Sequence, residues 1–312
     1  MAKSNNLRSS LLLSLTALIW GVAFVFQSMG NNYMQPFTFN ASRNTLGCLV
    51  LIPLIVFKCR HPYALGGNGT ALKNLPVKTT LIGGVCCGAA LTIATMFQQI
   101  SLQYTTVGKV GFITTLYIIL TPIFGIFLRR KCPAIVWIGA AAAVAGMYML
   151  CVTEDFTFAF GDVLAFLGAV FFTVHILVID YFSPKTDGVV LSCLQFFVSA
   201  IICGIIAFLI EKPSFDQVSQ GLIPILYTGI MSSGVAYTLQ IIAQRNINPT
   251  IAALIMSMES VVSAVASYFA YRIGFLSQDQ SMSAVQIAGC VIMLCAVIMV
   301  QLPFDKIKRR NN

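Results

Sequence analysis

The chain has 312 residues, of which 58% are hydrophobic and 9% are charged, and its formal net charge is +9. Soluble domains carry about 25% charged residues, so this composition excludes a water-soluble protein. The basic residues lie in short segments between apolar runs, as in the cytoplasmic loops of membrane proteins, and we expect no nucleic-acid partner. The ten cysteines form no C-x-x-C pair, so we expect packing roles rather than a metal site.

Apolar segments along the chain predict an all-α integral membrane protein with ten transmembrane helices. Each segment holds the roughly 20 residues that a helix needs to cross a bilayer. The first follows Lys3 and Arg8 as a signal peptide would, but it is longer than the usual apolar region of about 7–15 residues, so we keep it as a helix. The predicted spans are 8–29, 36–57, 79–100, 104–128, 133–152, 160–182, 188–210, 219–242, 248–271 and 283–302.

The distribution of lysine and arginine predicts the orientation of these spans. Fifteen basic residues fall in segments on the side of the N-terminus, and two, Lys212 and Arg272, fall on the other side. Cytoplasmic loops carry the excess of basic residues. We therefore predict a multi-pass protein of the cell membrane with both termini in the cytoplasm.

Weak internal similarity predicts two halves, residues 1–152 and 153–312, with five helices each. At an offset of 152 residues, segment 13–26 aligns with 165–178 and Arg43 aligns with Gln195. At an offset of 142, segment 110–113 aligns with 252–255. Because each half has an odd number of spans, the two repeats are inverted, and such transporters bind substrate between the repeats near the midplane.

The first two predicted helices carry candidate cavity residues. Trp20 and Phe24 lie one turn apart and deep in the first span, where they either pack or wall a cavity. Arg43 in the second span, like Lys109 in the fourth, lies near the outer end of its helix. Such a side chain either anchors the helix at the interface or lines an outer vestibule that favours anionic groups.

Polar stripes mark the third and fourth helices. Thr95 and Gln99 share one helical face, as do Thr114 and Tyr117. Polar side chains of this kind either join neighbouring helices, each contributing about 0.6–2 kcal/mol, or contact a solute. We count all four as candidates for substrate binding.

The sixth helix carries an aspartate near its start and a histidine near its middle. Asp162 follows Gly161 at the predicted helix start, and this position favours an N-cap. His175 lies at mid-membrane depth in the same helix. A lone histidine is usually a hydrogen-bonded packing residue, but its depth gives a role in substrate binding equal support.

The eighth helix carries a longer polar stripe. With 3.6 residues per turn, Ser233, Tyr237, Gln240 and Gln244 lie on one face of an otherwise apolar helix. Polar groups confined to one face indicate a polar pathway through the protein. We therefore predict that Tyr237, Gln240 and Gln244 contact the substrate.

Glu259 lies about twelve residues into the ninth helix, roughly 18 Å from its start and near the bilayer midplane. A carboxylate at this depth is costly if it faces lipid, so it faces a cavity or a partner. One interpretation is that neighbouring serines and backbone groups satisfy it. The other, which we favour, is that it binds a substrate amine or a coupling proton.

Short motifs spread over nearly the whole chain resemble the drug/metabolite transporter superfamily, and in particular its ten-helix EamA-type members. The resemblance implies a secondary transporter with a central cavity lined by helices 1, 3, 4, 6, 8 and 9, and relatives that move amino acids, nucleosides, other metabolites or drugs, commonly outward. The residues that carry it are Trp20-Gly21, Arg43, Thr105-Thr106, Pro122, Gly161-Asp162, Ala236-Tyr237, Pro249-Thr250, Met258 to Val261 and Gln286 to Cys290.

These features predict a secondary transporter, working by alternating access, that exports a small polar or amphipathic metabolite such as an amino acid. Proton coupling through Glu259 is a further hypothesis. The sequence has no P-loop and no catalytic motif, so we expect neither an enzyme nor a cofactor or metal site. The alternatives are a lipid translocase and an intramembrane enzyme. The lipid bilayer and a small-molecule substrate are the predicted partners, and no oligomeric state is predicted.

Overall fold

A computed structural model describes residues 2–61, 75–129, 134–151, 160–275 and 283–301, and within these ranges the chain is helical and has no strands. Eight helices are long and apolar enough to cross a membrane, while Ala134–Gly146 and Ala284–Met299 are apolar but shorter. An all-helical membrane protein is therefore confirmed, and ten spans remain a prediction. The apolar helices are α1 (Ala2–Gly30), α2 (Pro36–Arg60), α3 (Val77–Ser101), α4 (Val107–Phe127), α5 (Ala134–Cys151), α6 (Phe160–Lys185), α7 (Gly188–Glu211), α8 (Leu222–Gln244), α9 (Pro249–Arg272) and α10 (Ala284–Gln301).

The helices of the two halves pack against each other in matching pairs. Helix α1 packs against α8 and α9, and its counterpart α6 packs against α3 and α4. Helices α2 and α7 pack together, as do α5 and α10. Exchanging the two halves leaves this set of pairs unchanged. The two halves therefore contact each other through all ten of the described helices.

Hydrogen bonds and an ion pair join α2 to α7 at both ends of the two helices. Glu211, the last residue of α7, accepts hydrogen bonds from the backbone N–H groups of Phe37 and Thr38 at 2.9 and 2.7 Å. These amides have no partner within α2, because the first turn of a helix leaves its N–H groups free. At the opposite end, Lys58 of α2 forms an ion pair with Asp187, which also caps the first turn of α7.

Glycine allows α1 to approach α9 closely beside the predicted functional carboxylate. A Cβ atom added to Gly21 would lie 2.4 Å from Cβ of Val262 and 2.8 Å from the backbone oxygen of Glu259. Small residues permit such contacts between membrane helices. The position of Glu259 therefore depends on the missing side chain at residue 21.

We expect Gly21→Ala to lower the free energy of unfolding by about 1–3 kcal/mol, because α1 and α9 must separate to admit the methyl group. The measurement is thermal unfolding of the purified protein in detergent. Gly204→Ala in α7 is the matched control, since a Cβ there meets nothing within 4 Å. Equal unfolding temperatures for the two variants would contradict close packing at Gly21.

Asp162 occupies a different position from the predicted N-cap. The structure places it inside the first turn of α6, which begins at Phe160. Its carboxylate accepts hydrogen bonds from Thr105 Oγ1 at 3.1 Å and from Lys109 Nζ at 2.9 Å. Asp162 therefore connects α6 to the start of α4, with Lys109 as one of its two partners there.

Candidate functional site

A buried polar cavity lies at the interface between the two halves. Its volume is about 30 Å³, measured as the space open to the centre of a water molecule. About 10–15 Å³ on this measure is enough for one water, so the cavity has room for a small group of atoms. Its lining residues are Trp20, Phe24, Gln27, Arg43, Gln98, Thr114, Tyr117, Phe172, His175, Ile176, Ser232, Tyr237, Gln240, Met256 and Glu259.

The cavity is lined by equivalent positions of the two halves. Ten of the fifteen lining residues form five pairs at the sequence offsets of 152 and 142 found above. The cavity is therefore lined by segments of the two halves that align with each other in the sequence. The pairs are Trp20 with Phe172, Phe24 with Ile176, Gln98 with Gln240, Thr114 with Met256, and Tyr117 with Glu259.

Helices α4 and α9 are interrupted at equivalent points beside the cavity. The regular helix breaks at Thr115 in α4 and at Ser257 in α9, which are 142 residues apart. Each hydroxyl donates a hydrogen bond to the carbonyl three residues earlier, at 2.8 and 2.7 Å. Two residues after each break come Tyr117 and Glu259. Interrupted helices of this kind form the binding sites of many membrane transporters.

Glu259 is hydrogen-bonded across the interface to its equivalent in the other half. The hydroxyl of Tyr117 donates to Oε1 of Glu259 at 2.9 Å, and the carboxylate side chain is buried. The neighbouring hydroxyls of Ser257 and Ser260 donate instead to backbone carbonyls of α9. No ion pair to Glu259 occurs among the described residues. The carboxylate therefore faces the cavity with a neutral partner.

Aromatic rings form one wall of the cavity. The ring of Tyr237 lies 4.5 Å from Trp20, 5.6 Å from Phe196 and 5.9 Å from His175, measured between centroids. Nε2 of His175 lies 3.0 Å from Oε1 of Gln195, and its Nδ1 has no partner in the described part of the chain. With the amide assigned this way, Nε2 carries the proton and Nδ1 is an acceptor.

The structure also places in the cavity residues that were not among the candidates for substrate binding. Arg43 lines the cavity with 2% of its surface exposed, and its Nη1 donates to Oε1 of Gln27 at 3.0 Å. Gln98 and Ser232 supply further polar groups. The internal offset identifies Gln98, because it is equivalent to Gln240. Phe172, Ile176 and Met256 complete the apolar part of the lining.

Helix α8 turns more widely than the predicted stripe assumed. Residues Tyr227–Tyr237 form a π-helix, which has more residues per turn than an α-helix. Ser232, five residues before Tyr237, therefore lines the cavity. Ser233 instead donates a hydrogen bond to Oδ1 of Asn44 in α2 at 3.5 Å. Ser233 is therefore not part of the cavity lining, although its spacing places it near the face of Tyr237.

Three candidates lie outside the cavity lining. Thr95 donates to a carbonyl of its own helix, Gln99 donates to Asn31 Oδ1, and Gln244 is buried one turn beyond Gln240. Their contact with substrate stays a prediction. The eight candidates that line the cavity are Trp20, Phe24, Thr114, Tyr117, His175, Tyr237, Gln240 and Glu259.

These features define a class of protein: a multi-pass helical membrane protein with two similar halves around a buried polar cavity. A family model described as the EamA-like transporter family matches residues 7–152 and again residues 159–302. The chain therefore belongs to the EamA-like transporter family, whose model matches each half once. In the described ranges no group of three or more His, Cys, Asp or Glu residues is placed to hold a metal ion.

Relatives and a solved structure agree with this membership. One protein of Archaeoglobus fulgidus, described as an uncharacterized transporter, is 28% identical over 93% of this chain and 84% of its own length. A second from the same organism, with the same description, is 22% identical over 85% of this chain and 90% of its length. A crystal structure with 19% identity superposes with a TM-score of 0.69, covering 94% of this chain and 96% of its own, and supports the fold.

Proposed function

We propose that the protein is a secondary transporter that exports a small polar or amphipathic metabolite, such as an amino acid, by alternating access. The observation that carries this proposal is the hydrogen bond between Tyr117 and Glu259. It joins equivalent residues of the two halves inside a buried cavity. A relative movement of the halves would change this contact and the shape of the cavity together.

The proposal includes two inverted repeats, residues 1–152 and 153–312, with ten spans and cytoplasmic termini. Three observations support the repeats: the two family matches, the matching helix pairs and the equivalent breaks in α4 and α9. The excess of basic residues on one side supports the orientation. A substrate site between inverted repeats is the usual arrangement in transporters of this type.

Glu259 supplies a physical route to proton coupling. A buried carboxylate is costly when charged, and its neutral partner Tyr117 offsets only part of that cost. Either a proton or a cationic group of the substrate completes the compensation. Because both occupy the same carboxylate, binding of an ammonium group releases the proton, and this competition couples export to proton entry.

Reconstitution in liposomes tests the proposal. Purified protein is compared with protein-free liposomes for flux of a labelled amino-acid mixture and for movement of a fluorescent lipid between leaflets. We expect protein-dependent solute flux that a proton gradient accelerates. Lipid movement without solute flux would identify a lipid translocase instead. Conversion of a solute or lipid into a new product would identify an intramembrane enzyme.

Gln240 separates solute contact from packing on α8. Its side chain is 1% exposed, and its Oε1 has no partner among the described residues. We expect Gln240→Ala to slow transport by roughly two- to tenfold at normal abundance, since a neutral hydrogen bond contributes about 0.5–1.5 kcal/mol. Ile242→Ala is the matched control on the same helix, with a side chain 37% exposed. Equal transport rates in the two variants would remove Gln240 from the site.

A further inference from the structure

We infer that Arg43 forms an anion-binding subsite in the cavity, which takes either the carboxylate of the transported solute or a small inorganic anion. The assignment to a solute rests on the proposed transport function. The assignment to an anion rests on the burial, partners and position of Arg43 in its repeat.

Arg43 is a buried cation that remains charged. Only 2% of its surface is exposed, and it lies in a segment that crosses the membrane. A buried lysine can lose its proton, but a guanidinium stays protonated at any pH a protein experiences. A charge removed from water requires a counter-charge or a full set of hydrogen bonds.

The partners of Arg43 within the described chain are all uncharged. Nη1 donates to the amide oxygen of Gln27, the Phe39 ring lies 5.9 Å away, and Nε has no hydrogen-bond partner. The titratable side chains close enough to affect it are Tyr237 and Cys203, which are neutral at physiological pH.

Two other basic residues of the spanning helices differ in this respect. Lys58 and Lys109 each form an ion pair with a carboxylate, at Asp187 and Asp162. Arg43 is more deeply buried than either lysine and forms no ion pair with a described residue. A bound group would supply the compensating negative charge.

The repeat shows that helix packing does not require a cation at this position. Gln195 in α7 is equivalent to Arg43 in α2 at the offset of 152. Gln195 is fully buried and bonds to His175 of α6, as Arg43 bonds to Gln27 of α1. A neutral amide thus fills the same place in the second half. At this position the positive charge therefore occurs only in the first half, where it serves to bind a ligand rather than to pack the helices.

The position of Arg43 suits a planar anion. A guanidinium offers parallel N–H donors that match the two oxygens of a carboxylate. Gln27 holds one of its nitrogens, and the backbone oxygen of Gln27 accepts in turn from Gln99 Nε2 at 3.0 Å. Glu259 lines the same cavity without pairing with Arg43. A solute with a carboxylate and an ammonium group would therefore satisfy both ends.

Binding of small anions to the purified protein tests the subsite without requiring transport. Thermal unfolding in detergent is followed while gluconate, a bulky reference anion, is replaced by formate or chloride at constant ionic strength. We expect formate or chloride to stabilise the wild type, with an apparent affinity roughly tenfold to a hundredfold weaker in Arg43→Gln. Lys185→Gln, which removes a positive charge outside the cavity, is the control. Arg43→Lys, which keeps the charge, is expected to fall between.

Two arms distinguish the sources of the anion. The first arm compares compounds that carry a carboxylate, leucine and 4-methylpentanoate, with isopentylamine, which carries only an amine. If the first two compete with formate and isopentylamine does not, the ligand of Arg43 is the carboxylate of the solute. A response to chloride that no carboxylate displaces would identify an inorganic anion. Equal responses of the wild type and a folded Arg43→Gln protein to every anion would overturn the subsite, and so would the absence of any anion response in both the wild type and Arg43→Lys. Anion binding without any solute flux in liposomes would leave the subsite standing and reject the proposed transport function.

Discussion

Glu259→Gln is expected to abolish accumulation of solute against its gradient and to remove the dependence of transport on pH. Glutamine keeps the shape of the side chain but carries no exchangeable charge. Loss of a charge-assisted hydrogen bond to an ammonium group costs about 1.5–3 kcal/mol, which corresponds to roughly 10- to 150-fold weaker binding. In the wild type, acidifying the side that loads substrate protonates Glu259 and weakens binding there, so transport falls as that pH falls.

The measurement is the flux of labelled solute into proteoliposomes over a series of pH values, with and without an imposed proton gradient. Tyr117→Phe is the companion variant, because it removes the hydroxyl that donates to Glu259 and keeps the titratable carboxylate. We expect that variant to retain pH dependence. If Glu259→Gln moves solute uphill as well as the wild type at equal abundance, the carboxylate is a packing residue and the coupling hypothesis fails.

The helices were predictable because a membrane leaves the backbone few choices. Every polar backbone group within lipid must bond internally, so an apolar run of about 20 residues forms a helix. The predicted span 188–210 corresponds to the observed Gly188–Glu211, and 248–271 corresponds to Pro249–Arg272. Burial depth likewise marked Glu259 as a residue that faces other protein groups or a cavity, as its contact with Tyr117 shows.

The partner of Glu259 could not be predicted from depth alone. Tyr117 was a candidate for substrate binding, but its contact with Glu259 depends on how α4 and α9 meet across the interface. The offset of 142 that aligns segments 110–113 and 252–255 also relates Tyr117 to Glu259. In an inverted repeat, equivalent residues near the symmetry axis lie close together. Extending the offset along both helices would have identified the pair.

The sequence-based predictions were wrong or incomplete where tertiary contacts, rather than local helical geometry, determine the position of a side chain. Helical periodicity could not show that Ser233 bonds to Asn44 instead of lining the cavity, because that contact depends on how α2 and α8 pack. The prediction of Asp162 as an N-cap was wrong because the residue lies inside the first turn of α6. Its carboxylate bonds to residues at the start of α4 instead. Arg43 was placed near a helix end, where a side chain can reach water, whereas the structure buries it between Gln27 of α1 and Phe39 of its own helix.

Cross-linking at two positions is expected to have opposite effects on transport. Sγ of Cys48 in α2 lies 3.5 Å from Sγ of Cys193 in α7, between helices that are fastened at both ends. Copper phenanthroline with oxygen should therefore join them, as two thiols give up two protons and two electrons. Because α2 and α7 contribute only Arg43 to the cavity lining, we expect this bond to leave transport unchanged.

The contrasting pair joins α4 to α9, which line the cavity and are interrupted beside it. A Cβ added to Gly111 would lie 3.7 Å from Cβ of Ser263, a separation that suits a disulfide. We expect Gly111→Cys with Ser263→Cys, in a Cys48→Ser background, to stop transport when oxidised and to recover on reduction. A protease site placed between residues 152 and 159 detects each bond, since linked halves stay together on a non-reducing gel. The opposite result would contradict this expectation. If transport is lost when Cys48 is linked to Cys193 and is unchanged when residues 111 and 263 are linked, then α2 and α7 move while α4 and α9 stay fixed.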